Sequence, residues 1–388
     1  MIRKVVFAVG LALLANVASA QVQRVWLTYG SPKPDRVVVN WETSQPGDSI
    51  VRYGTNRELD QVREVNEKVT LHHVEIPLQG GGERWYYTVQ TGPHRSPVAS
   101  FKAYPRHELR VAVIANLQRT PDLTAIQKDD VHILMTAGDN IPNLWQDCDA
   151  GPRGCTKPYS KLIDAYPELF RTTIFMPVLG NHDKEARPRG SAPPAELVYD
   201  IDATAFREFF ELPGDEWKWN FDVPAFGVRF IGLDLNHISD MGTTWQACHP
   251  FAAGSEQFEW YDALTSTGDA RFVVTLYNER NANIRSKENR RWHQMFSRGT
   301  VCITGFGYFA ERAVFEGHPY FNTSVSGTGD RYPDPKSEFL ASRDSYILLT
   351  FHRESDEMTV DLKALDGSLL DRTQYHARPR KRSSAGAR

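Results

Sequence analysis

Beyond its N-terminal segment, this sequence lacks the features of a membrane protein or a nucleic-acid-binding protein. No apolar run after the first 20 residues approaches the ~18 residues that a transmembrane helix needs. Lysine and arginine total 45 against 48 aspartate and glutamate residues, so the net charge of −3 provides no overall basic surface for nucleic acid. Because 41% of the 388 residues are hydrophobic, we expect a large core and about two domains.

Cysteine is scarce, which excludes a fold held together mainly by disulfides. Cys148 and Cys155 enclose a turn-rich segment that can bring the two sulfur atoms together, and in an oxidising compartment we predict a disulfide there. The alternative is two unpaired thiols in a loop. Cys302 lies in an apolar strand and is expected to be a buried thiol, whereas Cys248 beside His249 remains open.

The N-terminal segment has the pattern of a secretory signal. Arg3 and Lys4 precede the apolar residues 5–17, and an Ala-Ser-Ala cleavage site covers residues 18–20. A retained N-terminal anchor is the alternative interpretation. We predict a mature protein that starts at Gln21, is secreted or periplasmic, and has no membrane contact after cleavage.

Two regions with different patterns follow the predicted signal. Residues 21–105 contain short β-branched and aromatic runs separated by turns, which predicts a fibronectin type III-like β-sandwich. Residues 106–375 alternate apolar strands with helical stretches, which predicts a mixed α/β (α+β) domain whose sheets are covered on both faces. Residues 376–388 form a basic tail that we expect to be disordered. The adjacent His72 and His73 would point to opposite faces of a strand and are read as ordinary residues.

Two of the apolar strands end in polar residues that can bind metals or phosphate. One strand runs into Gly-Asp-Asn at residues 138–140, and the other runs into Gly-Asn-His-Asp at residues 180–183. The carboxyl edge of an open α/β sheet is where such folds build their sites. Carboxylate, amide oxygen and imidazole are donors that divalent metals accept.

The order of these segments resembles the calcineurin-like metallophosphoesterases, and the sandwich in front makes the chain similar to purple acid phosphatase-like proteins over residues 25–370. The resemblance implies a two-sheet α/β/β/α domain and two adjacent metal ions (Fe, Zn or Mn) that activate water against a phosphate ester. It implies that Asp139 bridges the metals and that Asn181 ligates one of them. His182 would stabilise the phosphate or the leaving group, and Asp183 would orient His182.

The sequence departs from the family at its other motifs. Asn116-Leu117-Gln118 stands where the family has Asp-x-His or Asp-x-Gly, and Pro142 replaces a tyrosine. The two histidine motifs read Tyr277-Asn278 and Phe306-Gly307-Tyr308. Asn116 could offer only a neutral amide oxygen to a metal. Every histidine ligand is missing, so we expect no dinuclear centre of the family type and weak or altered activity. The alternative is a site that binds no metal at all.

Two substitutes for the missing ligands remain open. Asp234, His237, Asp240 and His249 lie near the end of another apolar strand and could form a mononuclear site with Asp139. The simpler interpretation is that Asp234 and Asn236 hold a loop by hydrogen bonds. Three arginines near the altered motifs could instead bind an anion without metal, although each could be an ordinary surface residue: Arg119, Arg280 and Arg312.

Three functional hypotheses follow. The first is a phosphoesterase with a reduced metal site, acting on a phosphate ester. The second is a non-catalytic pseudophosphatase that binds an anionic small molecule or a protein partner, and the aromatic residues Tyr277, Phe306 and Tyr308 favour it because they would fill the metal cavity. The third is an adhesive role for the sandwich. The sequence does not indicate an oligomeric state.

Overall fold

A computed structural model describes residues 21–78, 83–103, 105–148, 153–267, 270–327, 329 and 331–378 of the chain. The predicted signal and all of the predicted tail beyond residue 378 therefore lie outside the described residues. Within the described part, no helix combines the length and apolar character needed to cross a bilayer.

The secondary structure is dominated by strands. The strands are β1 (Val22–Thr28), β2 (Arg36–Gly54), β3 (Gln61–Pro77), β4 (Arg84–Thr91), β5 (His94–Arg95), β6 (Ala99–Lys102), β7 (Glu108–Ile114), β8 (Ile133–Thr136), β9 (Ile174–Met176), β10 (Trp219–Val223), β11 (Val228–Gly232), β12 (Phe272–Tyr277), β13 (Val301–Thr304), β14 (Ala310–Phe315), β15 (His318–Asn322), β16 (Ser337–Ala341), β17 (Ser345–His352), β18 (Glu357–Ala364) and β19 (Leu369–His376). The helices are α1 (Thr124–Lys128), α2 (Lys157–Ala165), α3 (Pro167–Thr172), α4 (Thr204–Phe209), α5 (Glu256–Thr267), α6 (Asn281–Ile284) and α7 (Arg291–Phe296).

The first sheet contains twelve strands among the described residues. Its main path is β19-β18-β17-β7-β8-β9-β1-β2-β4-β5, with β3 paired to β2 and β6 paired to β4. Strands β7, β8 and β9 are parallel to one another, and β8 and β9 are buried along their whole length. Continuous apolar sequence at the centre of a sheet is expected when both faces are covered.

The N-terminal strands continue this sheet, and the predicted fibronectin type III-like sandwich is not confirmed. Strand β1 pairs antiparallel with β2 and parallel with β9, where Leu27 lies opposite Ile174. The fully buried ring of Trp26 stacks on Phe209 with 4.2 Å between ring centroids. Strand β1 also contacts α2 and α3, so its buried residues Trp26 and Leu27 join one core shared with the α/β part of the chain.

The second sheet contains seven strands of the described chain, in the order β10-β11-β12-β13-β15-β14-β16. Strands β11, β12, β13 and β15 are parallel, so their carboxyl ends lie at one edge. This mixed two-sheet arrangement agrees with the predicted α/β domain. The described chain ends in an antiparallel hairpin, in which β18 and β19 pair on either side of the turn at Asp366 and Gly367.

The cysteine predictions are confirmed where they were specific. Cys148 and Cys155 form a disulfide. Cys302 is a buried free thiol, and Cys248, which the sequence left open, is also buried and free. His72 is buried in the N-terminal region, where Thr43 and Ser49 hydroxyls contact its two ring nitrogens at 2.9 and 2.7 Å.

Candidate functional site

The ends of strands from both sheets meet at one region, which we call the sheet junction: residues 116–118, 137–142, 180–185, 234–240, 278–280 and 305–308. The two sheets contact directly here. The Asn278 amide, after β12, donates to the Ala137 carbonyl, after β8, at 3.0 Å. A Cβ on Gly138 would lie 2.4 Å from Cβ of Asn278, so glycine is needed for this approach. The predicted motifs are therefore brought together by the fold.

Asp139 lies at the centre of the sheet junction and is 5% exposed. Its Oδ1 accepts a hydrogen bond from the backbone N–H of His182 at 3.2 Å. A Cβ on Gly180 would lie 2.1 Å from the same oxygen, which explains why a glycine opens the Gly-Asn-His-Asp segment. Burial raises the pKa of Asp139, and the charge and the backbone N–H of His182 only partly offset that rise.

The other oxygen of Asp139 is bonded to a glutamine. Gln118 donates from Nε2 to Oδ2 of Asp139 at 3.3 Å, and its Oε1 accepts from the hydroxyl of Tyr308 at 2.9 Å. Tyr308, Gln118 and Asp139 thus form a hydrogen-bonded chain across the junction. Gln118 and Tyr308 belong to motifs where the family resemblance would place metal ligands. Asp139 is the carboxylate that the resemblance would place between the two metals.

Asn116 has a clear structural role. Its Nδ2 lies 2.7 Å from the Gly305 carbonyl, 3.1 Å from the Gly307 carbonyl and 3.0 Å from Oγ of Ser324. Carbonyl oxygens only accept hydrogen bonds, so the NH₂ end of the amide must face them. Asn116 therefore ties the first altered motif to the last one, and it could offer a metal at most one neutral oxygen.

His182 lies beside Asp139, and 29% of its side chain is exposed. Its Nδ1 lies 2.5 Å from the Pro142 carbonyl and 3.2 Å from Oε2 of Glu185. Burial lowers the pKa of His182, but the charges of Asp139 and Glu185 outweigh it and raise this pKa to about 9. The ring is therefore an imidazolium at neutral pH. The predicted role of His182 in stabilising a phosphate or a leaving group stays a prediction.

Asp183 does not take the role that the resemblance implied. It is fully buried, and its carboxylate accepts from the backbone N–H of Gly180 at 2.8 Å and from the side-chain amide of Asn140 at 3.0 Å. Burial, and then the charge of Asp139, raise its pKa to about 7. Asp183 therefore anchors the loop backbone, and the carboxylate beside the His182 ring belongs to Glu185.

Asn181 is buried at the junction and faces Tyr199. Burial raises the pKa of Tyr199, and hydrogen bonds from Arg189 and Asn181 reduce that rise.

Tyr277 was predicted to fill the metal cavity, and this is wrong. Its ring is fully buried behind the sheet against Phe296, and its hydroxyl donates to Asn281 at 2.7 Å.

Asp234 belongs to a buried ion pair. Its Oδ1 lies 2.5 Å from Nζ of Lys184, and both side chains are 0% exposed. Its Oδ2 accepts from both the backbone N–H and the ring of His249, at 3.0 and 2.7 Å. Burial raises the pKa of Asp234, but Lys184 and His249 outweigh it and bring this pKa to about 2. The oxygens of Asp234 are thus taken by protein donors.

The predicted mononuclear site does not assemble around Asp234. His249 contacts Asp234, whereas His237 lies 3.7 Å from Asp240, and these form two separate pairs. Across the described ranges, no group of three or more His, Cys, Asp or Glu residues is arranged to hold a metal ion. The interpretation that Asp234 and Asn236 hold the loop agrees with their 2.8 Å hydrogen bond.

Of the three candidate arginines, Arg280 is the one available at the junction. Arg312 is bound to Asp371 and Glu338. Arg119 lies near Asp344, where burial raises the pKa of the carboxyl and the charge of Arg119 partly offsets that rise. Nε of Arg280 is buried without a hydrogen-bond partner, and the guanidinium has no carboxylate partner among the residues described. Its guanidinium carbon lies 5.6 Å from the centroid of the Tyr332 ring.

These donors do not fit the two-metal centre that the fold resemblance implies. Of the carboxylate ligands that the resemblance implies, only Asp139 is present, and its oxygens face the N–H donors of His182 and Gln118. A dication requires lone pairs from charged or imidazole ligands directed at it, rather than N–H groups. We therefore assign no chemical step to a metal.

Three important residues were missed at the level of sequence. Gln118 was considered only as part of an altered family motif, and no role was predicted for Lys184 or Glu185. The signal available for Lys184 was its position directly after Asn-His-Asp, since a lysine so close to a buried motif has little room to reach solvent.

Comparisons with known proteins give the fold. No protein-family model and no curated protein matches the sequence. Among solved structures, the purple acid phosphatase PPD1 from yellow lupin (Lupinus luteus) seeds is similar with a TM-score of 0.67 and 12% identity, over 92% of this chain and 74% of that one. The structure of PhoD is similar with a TM-score of 0.64 and 13% identity, over 93% of each chain. The chain therefore has the metallophosphoesterase superfamily fold, in a form similar to purple acid phosphatase and PhoD.

Proposed function

We propose that this protein is a non-catalytic member of the fold, which binds an anionic small molecule at the sheet junction without the two-metal hydrolysis that the family resemblance implies. The observation that carries this proposal is Arg280, a half-buried guanidinium without a carboxylate partner in the described structure. A charge held partly out of water in this way is costly unless an anion meets it.

The altered motifs support the same proposal. The amides of Asn116, Gln118 and Asn278 all donate to protein oxygens at 3.3 Å or less, so the region is held closed by hydrogen bonds. The network holds strands of both sheets in place without requiring a cation. Loss of metal ligands therefore need not damage the fold.

The position of His182 adds a second donor for an anion. Part of its ring is exposed at the junction, and Glu185 and the Pro142 carbonyl both contact Nδ1. Nδ1 is therefore occupied, and Nε2 is the ring nitrogen available to a ligand. Phosphate and carboxylate oxygens accept strongly from such donors.

We propose in addition that the protein is exported, to a secreted or periplasmic location. The Cys148–Cys155 disulfide supports this, because disulfides persist mainly in oxidising compartments. Cell fractionation with N-terminal sequencing tests it, with Gln21 as the expected first residue and a cytosolic protein that retains residues 1–20 as the contrary result.

The binding proposal is tested by calorimetric titration of the purified protein with inorganic phosphate and phenyl phosphate, with and without added Zn²⁺, Mn²⁺ or iron. We expect binding that does not require metal and no turnover of phenyl phosphate. Arg280→Gln should weaken binding by about tenfold or more, as expected for a charge-assisted hydrogen bond.

Arg57→Gln is the matched control, because Arg57 also lies 5.6 Å from a tyrosine ring, that of Tyr86, in the N-terminal region. It should bind like the unmodified protein. Metal-dependent turnover of phenyl phosphate that disappears in Asp139→Ala and His182→Ala would overturn the proposal and establish an enzyme.

A further inference from the structure

We infer that the sheet junction selects anions that carry a planar aromatic ring, such as aryl phosphates, over aliphatic anions of the same charge. This inference rests on the proposed function and specifies the class of ligand. It comes from an aromatic surface beside Arg280 that is only partly buried.

The aromatic surface consists of three rings in a continuous series. Phe306 lies 5.7 Å from Tyr332 between ring centroids, at an interplanar angle of 46°. The ring of His237 lies at the other end of the series, with 5.9 Å between its centroid and that of Phe306. Arg280 lies over Tyr332 at one end of the series. At the other end, burial lowers the pKa of His237, and the charges of Arg189 and His182 lower it further, so His182 lies near this ring. An acidic group held by Arg280 or His182 would thus place the rest of its molecule beside these rings.

The burial of the rings argues against a role as core filler. Tyr332 is 39% exposed, and Phe306 is only partly buried. Other aromatic residues of the same segment, Phe309 and Phe321, are 2% and 0% exposed. A side chain that merely filled a vacated metal cavity would be buried like them. Phe306 and Tyr332 instead line an accessible surface.

The chemistry of this surface favours a planar ring. Aromatic pairs prefer offset or edge-to-face arrangements with centroids ~4.5–7 Å apart, which a third ring can extend. A saturated ring of equal size buries similar apolar area but lacks the quadrupole that aligns these contacts. The expected preference for an aromatic over a saturated ring is between about two- and tenfold in Kd.

The test compares phenyl phosphate, cyclohexyl phosphate and inorganic phosphate by calorimetric titration of the unmodified protein and of Phe306→Leu, Phe306→Tyr and Tyr332→Leu. We expect phenyl phosphate to bind most tightly. Phe306→Leu and Tyr332→Leu should abolish the ratio of phenyl to cyclohexyl affinity, while Phe306→Tyr should keep it. The ratio is measured within each variant, so a change in stability does not imitate the effect.

Tyr86→Leu is the control, since Tyr86 pairs with an arginine at the same distance as Tyr332 does but lies on β4. It should leave the ratio unchanged. Equal affinity of the unmodified protein for phenyl and cyclohexyl phosphate would overturn this inference and leave the proposed anion site intact. Absence of binding for all three probes would overturn the proposed function itself.

Discussion

The buried ion pair between Lys184 and Asp234 gives the sharpest test of how this fold is stabilised at its altered site. Both side chains are 0% exposed, and the ammonium nitrogen lies 2.5 Å from the carboxylate. Lys184→Met removes the charge and keeps most of the side-chain volume. Asp234 then remains buried with the Asn236 amide and His249 as its donors.

The expected loss follows from leaving a charge buried without its counter-ion. Removing one partner of a buried pair costs about 3–5 kcal/mol. The remaining donors to Asp234 reduce this cost, so we expect about 3 kcal/mol for Lys184→Met. The double variant Lys184→Met/Asp234→Asn removes both charges and should lose less than the sum of the two single variants, by about 1–3 kcal/mol of coupling.

The assay is equilibrium urea denaturation at pH 7, with the free energy of unfolding measured for each variant. The control is Lys161→Met, because Lys161 pairs with Asp147 while 61% of its side chain is exposed. Exposed pairs contribute about 0–1 kcal/mol. If Lys184→Met costs no more than Lys161→Met, or if the two single variants add without coupling, the pair does not stabilise this region and the reasoning fails.

The same pair predicts how stability depends on acid. The pKa of Asp234 is brought from 3.8 to about 2 in the folded chain. The group therefore contributes stability above pH 4, and this contribution is lost as the pH falls through the folded pKa. The shift corresponds to about 2 kcal/mol. Asp234→Asn should therefore be less sensitive to pH between 4 and 2 than the unmodified protein, in urea denaturation measured across that range.

Two further predictions concern positions outside the ion pair. Gly180→Ala should lower the free energy of unfolding by about 1–3 kcal/mol, because its Cβ would lie 2.1 Å from Oδ1 of Asp139. His72 is 0% exposed and burial lowers its pKa to about 4. The unfolded chain therefore binds a proton below pH 6.5 before the folded chain does, and up to about 3 kcal/mol of stability is lost as the pH falls from 6.5 to 4. His72→Gln should flatten this part of the profile of melting temperature against pH.

Each of these has a control elsewhere in the chain. Gly254→Ala introduces left-handed strain at φ +87° with no atom within 4 Å of the new Cβ, so its expected cost is about 1 kcal/mol. A Gly180→Ala variant no less stable than the unmodified protein would contradict the close packing on Asp139. For acid stability the control is His352→Gln, whose side chain is 55% exposed. Equal slopes for the two histidine variants would show that burial of His72 does not govern the loss.

Much of the α/β architecture could be predicted from local sequence. Strands β8 and β9 were visible as apolar runs, and their polar ends placed Asp139 and Asn181 at one edge, because parallel strands end together. The N-terminal sheet could not be predicted in the same way. The N-terminal strands join the α/β part through the pairing of β1 with β9, where Leu27 lies opposite Ile174, far away in the sequence. Residue patterns indicate which segments form strands, but they do not identify the strands that pair.

At the site too, some features could be predicted from the sequence and others could not. The position of His182 was predictable because a motif fixes it, and the role of Asp183 was not. An aspartate beside a histidine can orient the ring or bind backbone N–H groups, and the choice depends on where Gly180 and Asn140 lie in space. The burial of Lys184 was equally hidden, since its partner Asp234 is fifty residues away in the chain.

The charges at the sheet junction explain how this fold can persist without the ligands of a metal centre. In a metal-bearing site, cations would balance the carboxylates. Here Lys184 neutralises Asp234, His182 lies between Asp139 and Glu185, and Gln118 donates to the remaining oxygen of Asp139. These balances are internal to the protein, so each carboxylate has a protein cation or N–H donor. Arg280 has no carboxylate partner among the described residues. Its positive charge is therefore the one at the junction that a bound anion would neutralise.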